Sequence, residues 1–131
     1  MVIDSSALVA ILLDELEREQ FEDAIGAAQF RLVSAVTKLE VSIVLLSRRG
    51  RAMLAEIDML FDRIGATIVA FDDHQADIAR DAFARFGKGR HRAGLNFGDC
   101  AAYALSIAEA EPLLFKGTDF GATDVDVVRL A

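Results

Sequence analysis

Four carboxylates in this chain stand where hard-oxygen chemistry can be built. Asp4 ends the first apolar segment, Glu40 lies inside a helical stretch, Asp99 opens a late helix, and Asp119 follows the last compact apolar strand. Aspartate and glutamate oxygens suit Mg2+ or Mn2+, with water filling the remaining coordination positions. Read together, the four acids form one divalent-metal site, provided that the fold gathers residues far apart in sequence. Softer metals are disfavoured: Cys100 is the only cysteine, and His74 and His91 are too widely spaced to form a helical ligand pair.

Glu40 is the most informative of the four. Positions three and four away are Val36, Thr37, Ile43 and Val44, which places the glutamate on an apolar helix face. A buried, unpaired carboxylate costs several kcal/mol or is driven to protonate, so it calls for a cation, a donor or a metal. A salt bridge to an arginine is the plainer alternative. Asp4 before Ser5, Asp99 after Gly98 and Asp119 after Thr118 also suit helix caps or turns. Asp72 lies after a strand as well and reads as a cap.

The elements that must position these groups alternate. Val2 and Ile3 form a short strand, followed by a helix from about Ser6 to Leu13 and an acidic helix through Leu16, Phe21 and Ile25. A strand at Arg31 to Ser34 and a helix from Val36 to Ser47 come next, and Gly50 breaks that helix. Met53, Leu54, Ile57, Leu60, Phe61 and Ile64 recur at helical spacing. Thr67 to Phe71 is a β-branched strand, and a helix capped by Asp72 or Asp73 runs to about Phe86. Gly98 to Ala110 is helical, Pro112 opens a strand at Leu113 to Phe115, and Val125 to Leu130 is expected as a final strand. This is the pattern of an α/β fold with a central, mostly parallel sheet flanked by helices. In such sheets the ligand crevice lies beyond the carboxyl ends of the strands. Asp4 and Asp119 then share one rim, and Asp99 can reach it from the start of its helix.

With 131 residues, 53% of them hydrophobic, the chain suits one domain over residues 1–131. Its longest apolar run, Ala7 to Leu13, is closed by Asp14 and Glu15 and falls far short of the roughly 20 residues of a membrane span. Met1 to Ile3 carries no basic side chain and Asp4 interrupts the start of an apolar region, so a secretory signal is not expected and the cytoplasm is the expected location. A net charge of −7 argues against coating nucleic acid by bulk electrostatics. Yet half of the 14 basic residues fall in two clusters, Arg48, Arg49 and Arg51, and Arg85, Lys88, Arg90 and Arg92. Arg48 and Arg49 serve equally well as cations at a helix end. The glycine-rich loop from Gly87 to Gly94 favours phosphate contact, with Lys88, Arg90 and Arg92 as its candidates.

Met1-Val-Ile-Asp4-Ser-Ser-Ala-Leu, Thr37-Lys-Leu-Glu40-Val, Asn96-Phe-Gly-Asp99-Cys-Ala-Ala-Tyr-Ala-Leu and Phe115-Lys-Gly-Thr-Asp119-Phe, in that order over essentially the whole chain, resemble a PIN-domain VapC toxin of a type II toxin–antitoxin system. The resemblance implies a PIN-domain fold and a metal-dependent endoribonuclease using Mg2+, with Mn2+ as a substitute. It makes Asp4 and Asp99 the principal metal ligands, Glu40 the third acid and Asp119 the fourth. Ser6 and Thr118 resemble hydroxyl residues that hydrogen-bond the carboxylates from behind. Asn96 is placed to orient Asp99 or contact RNA, and Asp124 matches a further acid of the family, one that would support the ligands without touching the metal. A cognate VapB antitoxin is implied as partner, as are a homodimer and a heterotetramer or larger assembly with it. Apolar residues near Val41, Leu45 and Leu46 are candidates to face a partner.

Two other classes fit less well. A receiver-like phosphoacceptor also carries acids at strand ends and a late lysine, here Lys116, but it resembles this chain poorly because Asp4 is followed by Ser5 and Ser6 rather than a second acid. A binding-only module would have little need of all four carboxylates.

Overall fold

A computed structural model describes residues 1–131. The chain runs β1 (Val2–Ile3), α1 (Ser5–Leu12), α2 (Arg18–Ala27), β2 (Leu32–Ser34), α3 (Ala35–Arg49), α4 (Met53–Ile64), β3 (Thr67–Val69), α5 (Asp73–Phe86), α6 (Phe97–Glu109) and β4 (Leu113–Leu114), then a short 3-10 turn at Phe120–Ala122. The four strands form one parallel sheet in the order β3-β2-β1-β4. No helix is long and apolar enough to cross a membrane.

Alternation along the strands divides the core. Ile3, Val33 and Leu114 join Leu8, Phe21, Ile25, Leu45 and Ile57 on the face covered by α1 to α4. Val2 and Leu113 point the other way, onto α5, α6, Leu95, Phe120 and Val125. Each central strand is thus apolar on both faces, as a sheet covered on both sides requires. Helix α4 buries Ile57, Leu60, Phe61 and Ile64 on one stripe and stops at Gly65 in the left-handed region.

The order of the strands fixes where a site can form. From β1 the chain steps to β2 and β3 on one side, and β4 returns on the other side of β1. The strand order therefore reverses between β1 and β4, the position beyond whose carboxyl ends sheets of this kind bind ligands. Asp4 is the residue after β1, and the segment from Phe115 to Asp119 leaves β4 at the same rim.

Several expected elements are shorter. Leu16 is fully exposed and α2 begins only at Arg18. The expected final strand from Val125 to Leu130 contracts to one bridge, Val127 beside Leu113. Leu113 donates to the Asp126 carbonyl at 2.9 Å and accepts from the Val128 amide at 3.0 Å. Strand β4 holds two residues and proline precedes it, so it offers the returning chain a single residue to pair with.

Candidate metal centre and active site

The carboxylate of Asp4 turns back from the end of β1 to cap α1. Its Oδ2 accepts from the Ser6 amide at 3.0 Å and the Ser6 hydroxyl at 2.6 Å. The same hydroxyl accepts from the Lys116 amide at 2.9 Å, so Ser6 ties the loop after β1 to the loop after β4. Asp4 Oδ1 is buried with no partner. Burial raises the Asp4 carboxyl to about 6, opposed by the Ser6 hydrogen bonds and reinforced by the charges of Asp99 and Glu40.

Asp99 occupies the first turn of α6, where Asn96 caps the helix. The Asp99 amide donates to Asn96 Oδ1 at 2.9 Å, and the Asn96 amide donates to Asp99 Oδ2 at 3.0 Å. This reciprocal pair fixes the Asp99 rotamer. Burial raises its carboxyl, followed by the charges of Glu40 and Asp119. Glu40 reaches in from α3, on the shoulder of a buried ridge formed by Thr37, Val41 and Leu45 rather than on the ridge itself. No lysine or arginine forms an ion pair with Glu40, and its Oε1 is buried without a partner. Asp119 is exposed at the start of the 3-10 turn and close enough to act on Asp99.

The structure therefore brings Asp4, Glu40, Asp99 and Asp119 to one rim. No three of its His, Cys, Asp and Glu side chains converge tightly enough to cage an ion. Mg2+ does not demand a protein cage: it keeps several waters and binds through one or two carboxylates together with substrate phosphates. Two orphaned, buried carboxylate oxygens on Asp4 and Glu40 fit that mode of binding, and the donor set is entirely hard oxygen.

Two expected supporting residues do other work. Thr118 is exposed and its hydroxyl reaches no carboxylate, because the turn at Gly117, with φ of 105°, carries it outward and leaves its carbonyl to accept from Gly121. Asp124 accepts from the Tyr103 hydroxyl and from Arg85 at 2.8 Å, clasping the C-terminal segment to α5 and α6 away from the four acids. Arg85, which also pairs with Asp81, is consequently not free for a phosphate. Lys116 is held by Glu15 at 2.6 Å and Glu17 at 3.2 Å, which removes it from a phosphoacceptor's role.

Lys88, Arg90 and Arg92 are exposed and form no ion pairs, on a loop closed where Lys88 donates to the Leu95 carbonyl at 2.9 Å. That loop leads directly into Asn96 and α6. Periodicity gives no sign of Gly98, whose missing side chain makes room for Glu40: a Cβ built there would lie 1.9 Å from Glu40 Oε2. Its only signal in the sequence is a small residue beside a helix-opening acid.

The PIN domain family model matches residues 1–126. Ribonuclease VapC of Mycolicibacterium smegmatis is 51% identical over 129 residues, covering 98% of this chain and 100% of that protein. Ribonuclease VapC30 of Mycobacterium tuberculosis is 48% identical over 130 residues, 99% of each chain. Among solved structures, Mycobacterium tuberculosis VapC20, described as a Sarcin-Ricin loop cleaving toxin, superposes with a TM-score of 0.79 at 14% identity over 98% of both chains. VapBC2 from Rickettsia felis, bound to a DNA fragment from its promoter, gives 0.79 at 10% identity over 99% of this chain and 98% of that one. At such identities the two structures speak for the fold.

Asp4 titrates near 6 when folded, against 3.8 for an unperturbed aspartate. Between those values the folded state holds the extra proton, so stability rises as pH falls. The metal-free protein should gain on the order of 1–3 kcal/mol on going from about pH 7 to about pH 5, with Asp99 adding in the same direction. Below about pH 4 the gain is complete, and protonation of Asp124, held low by Tyr103 and then Arg85, turns the trend. Urea denaturation in a chelator at the two pH values measures this, and a net loss of stability over that step would contradict it.

Proposed function

We infer function from family and site together: the chain belongs to the PIN-domain family, as a ribonuclease of the VapC kind. It is the toxin of a type II toxin–antitoxin pair, an Mg2+-dependent endoribonuclease acting as one unit over residues 1–131 and held in check by a cognate VapB antitoxin. The observation that carries this reading is the pair of buried, unpartnered oxygens on Asp4 and Glu40, set beside Asp99 at the switch point of the sheet.

Asp4 and Asp99 hold the ion, with Glu40 and Asp119 completing the acidic rim directly or through water. A bound Mg2+ or Mn2+ supplies a water of lowered pKa and relief of negative charge at the scissile phosphate. Ser6 holds Asp4 and Asn96 holds Asp99 in fixed orientations, so neither carboxylate must be ordered when substrate arrives. Lys88, Arg90 and Arg92 take the phosphates that flank the cut. Hydrolysis of this kind leaves a 5′ phosphate and a 3′ hydroxyl. Attack by a ribose 2′ hydroxyl asks for histidine acid–base pairs, whereas His91 accepts from the Ala93 amide at 3.0 Å and packs edge-on against Phe86.

Val41 and Leu45 are fully buried and unavailable to a partner. Leu39, Ile43 and Leu46 of α3 and Phe97 of α6 are exposed instead, and a surface this apolar supports a second copy or the antitoxin as its cover. A homodimer, and a heterotetramer or larger complex with VapB, are the assemblies in which that surface would be covered. Asp4 and Glu40, which pair with no cation of this chain, would accept a basic side chain of the antitoxin. RNA and antitoxin are both met in the cytoplasm, where the protein acts.

Antitoxin-free protein should cut total cellular RNA at discrete positions with Mg2+ or Mn2+, leaving 5′ phosphates, and should not do so with chelator or as Asp4→Ala. Undiminished cutting by Asp4→Ala would remove the proposed site. Reversing charge at Lys88, Arg90 and Arg92 together should weaken RNA binding at least tenfold at low salt and flatten its dependence on salt. Filter binding across a salt series measures both, and an unchanged slope would remove these residues from the RNA path.

A further inference from the structure

We propose that Gly98 is a positioning residue for metal binding, whose absent side chain is the space in which the Glu40 carboxylate is held against the rim. The inference rests on the metal-dependent function and goes beyond it in naming a residue that bears no ligand atom.

Three observations carry it. A Cβ at position 98 would lie 1.9 Å from Glu40 Oε2, 2.4 Å from Cδ and 2.5 Å from Oε1. The carboxylate therefore fills the volume that a side chain would take. Gly98 is not one of the glycines with positive φ, so backbone conformation does not explain it. Glu40 Oε1 is buried and receives no hydrogen bond, so no protein donor holds that oxygen there. What fixes it is the fit between α3 and α6, with Gly98 directly beside Asp99 on the rim. An alanine would require the carboxylate to move, and glutamate has a flexible stem that permits this.

The consequence separates positioning from packing. Alanine is the better helix former, so Gly98→Ala should fold with a melting temperature equal to or above that of the native chain in chelator. Its affinity for Mn2+ should fall by about tenfold or more. Because the substitution acts through Glu40, Glu40→Gln in the Gly98→Ala background should weaken Mn2+ binding by no more than about twofold further, whereas in the native background it should cost about tenfold.

The experiment titrates Mn2+ into the native chain, both single variants and the double variant, reading free ion by electron paramagnetic resonance, with melting in chelator alongside. Gly98→Ala that binds Mn2+ as the native chain does, or two losses that multiply independently, would overturn the proposal. So would a Gly98→Ala chain that unfolds and is rescued by Glu40→Ala, because the glycine would then serve packing. If the native chain itself binds no Mn2+, the metal-dependent function fails, and that outcome is distinct from the others.

Discussion

Burial of carboxylates gathered at one edge of the sheet is the constraint on which the rest of this structure depends. Two ionised carboxylates about 5 Å apart repel by roughly 3 kcal/mol at an effective dielectric near 20. Asp4 and Asp99 are both driven toward protonation, by burial first and by their acidic neighbours after it. The surroundings hold these groups in place without neutralising them. Ser6 clasps Asp4, Asn96 clasps Asp99 and Gly98 makes room for Glu40, while the cations of this edge are committed elsewhere or kept to a loop. Lys116 is drawn off by Glu15 and Glu17. A fold that isolates its acids in this way carries electrostatic strain, which protonation or a bound cation would relieve.

Topology explains how residues so distant in sequence arrive together. The reversal of strand order between β1 and β4 makes that edge the switch point of the parallel sheet. Asp4 and Asp119 leave the two strands that border it. The long α5·α6 packing returns the chain so that α6 begins with Asn96 and Asp99 at the same rim, and α3 delivers Glu40 across Gly98. The basic loop between α5 and α6 runs directly into Asn96, so chain connectivity ties its cations to the helix that carries Asp99.

Much of this is legible in the residues, and the exceptions have particular causes. Periodicity places Glu40 against apolar neighbours, and Asp4 can be located because a strand end is marked by an abrupt change of residue type. Glu40 nevertheless sits on the shoulder of the ridge, since Ile43 and Leu39 face outward, and sequence spacing does not distinguish a core face from an exposed apolar one. Val125 to Leu130 has strand-forming residues but only Leu113 to pair with, and propensity carries no information about the partner. Thr118 and Asp124 depart from expectation because a turn's direction decides which side chains reach the rim. Gly98 has no side chain to read; its role is visible only in what occupies its place.

The most direct test compares the native chain with Asp4→Asn by denaturant unfolding near neutral pH, in chelator and in saturating Mg2+. Asparagine keeps an oxygen to accept from Ser6 and removes one charge from the cluster. Asp4→Asn should be the more stable of the two in chelator, and Mg2+ should stabilise the native chain while leaving Asp4→Asn nearly unmoved, closing or inverting the gap. Equal stabilisation of both by Mg2+, or an Asp4→Asn chain less stable in chelator, would contradict the claim that these acids form a strained site awaiting a cation.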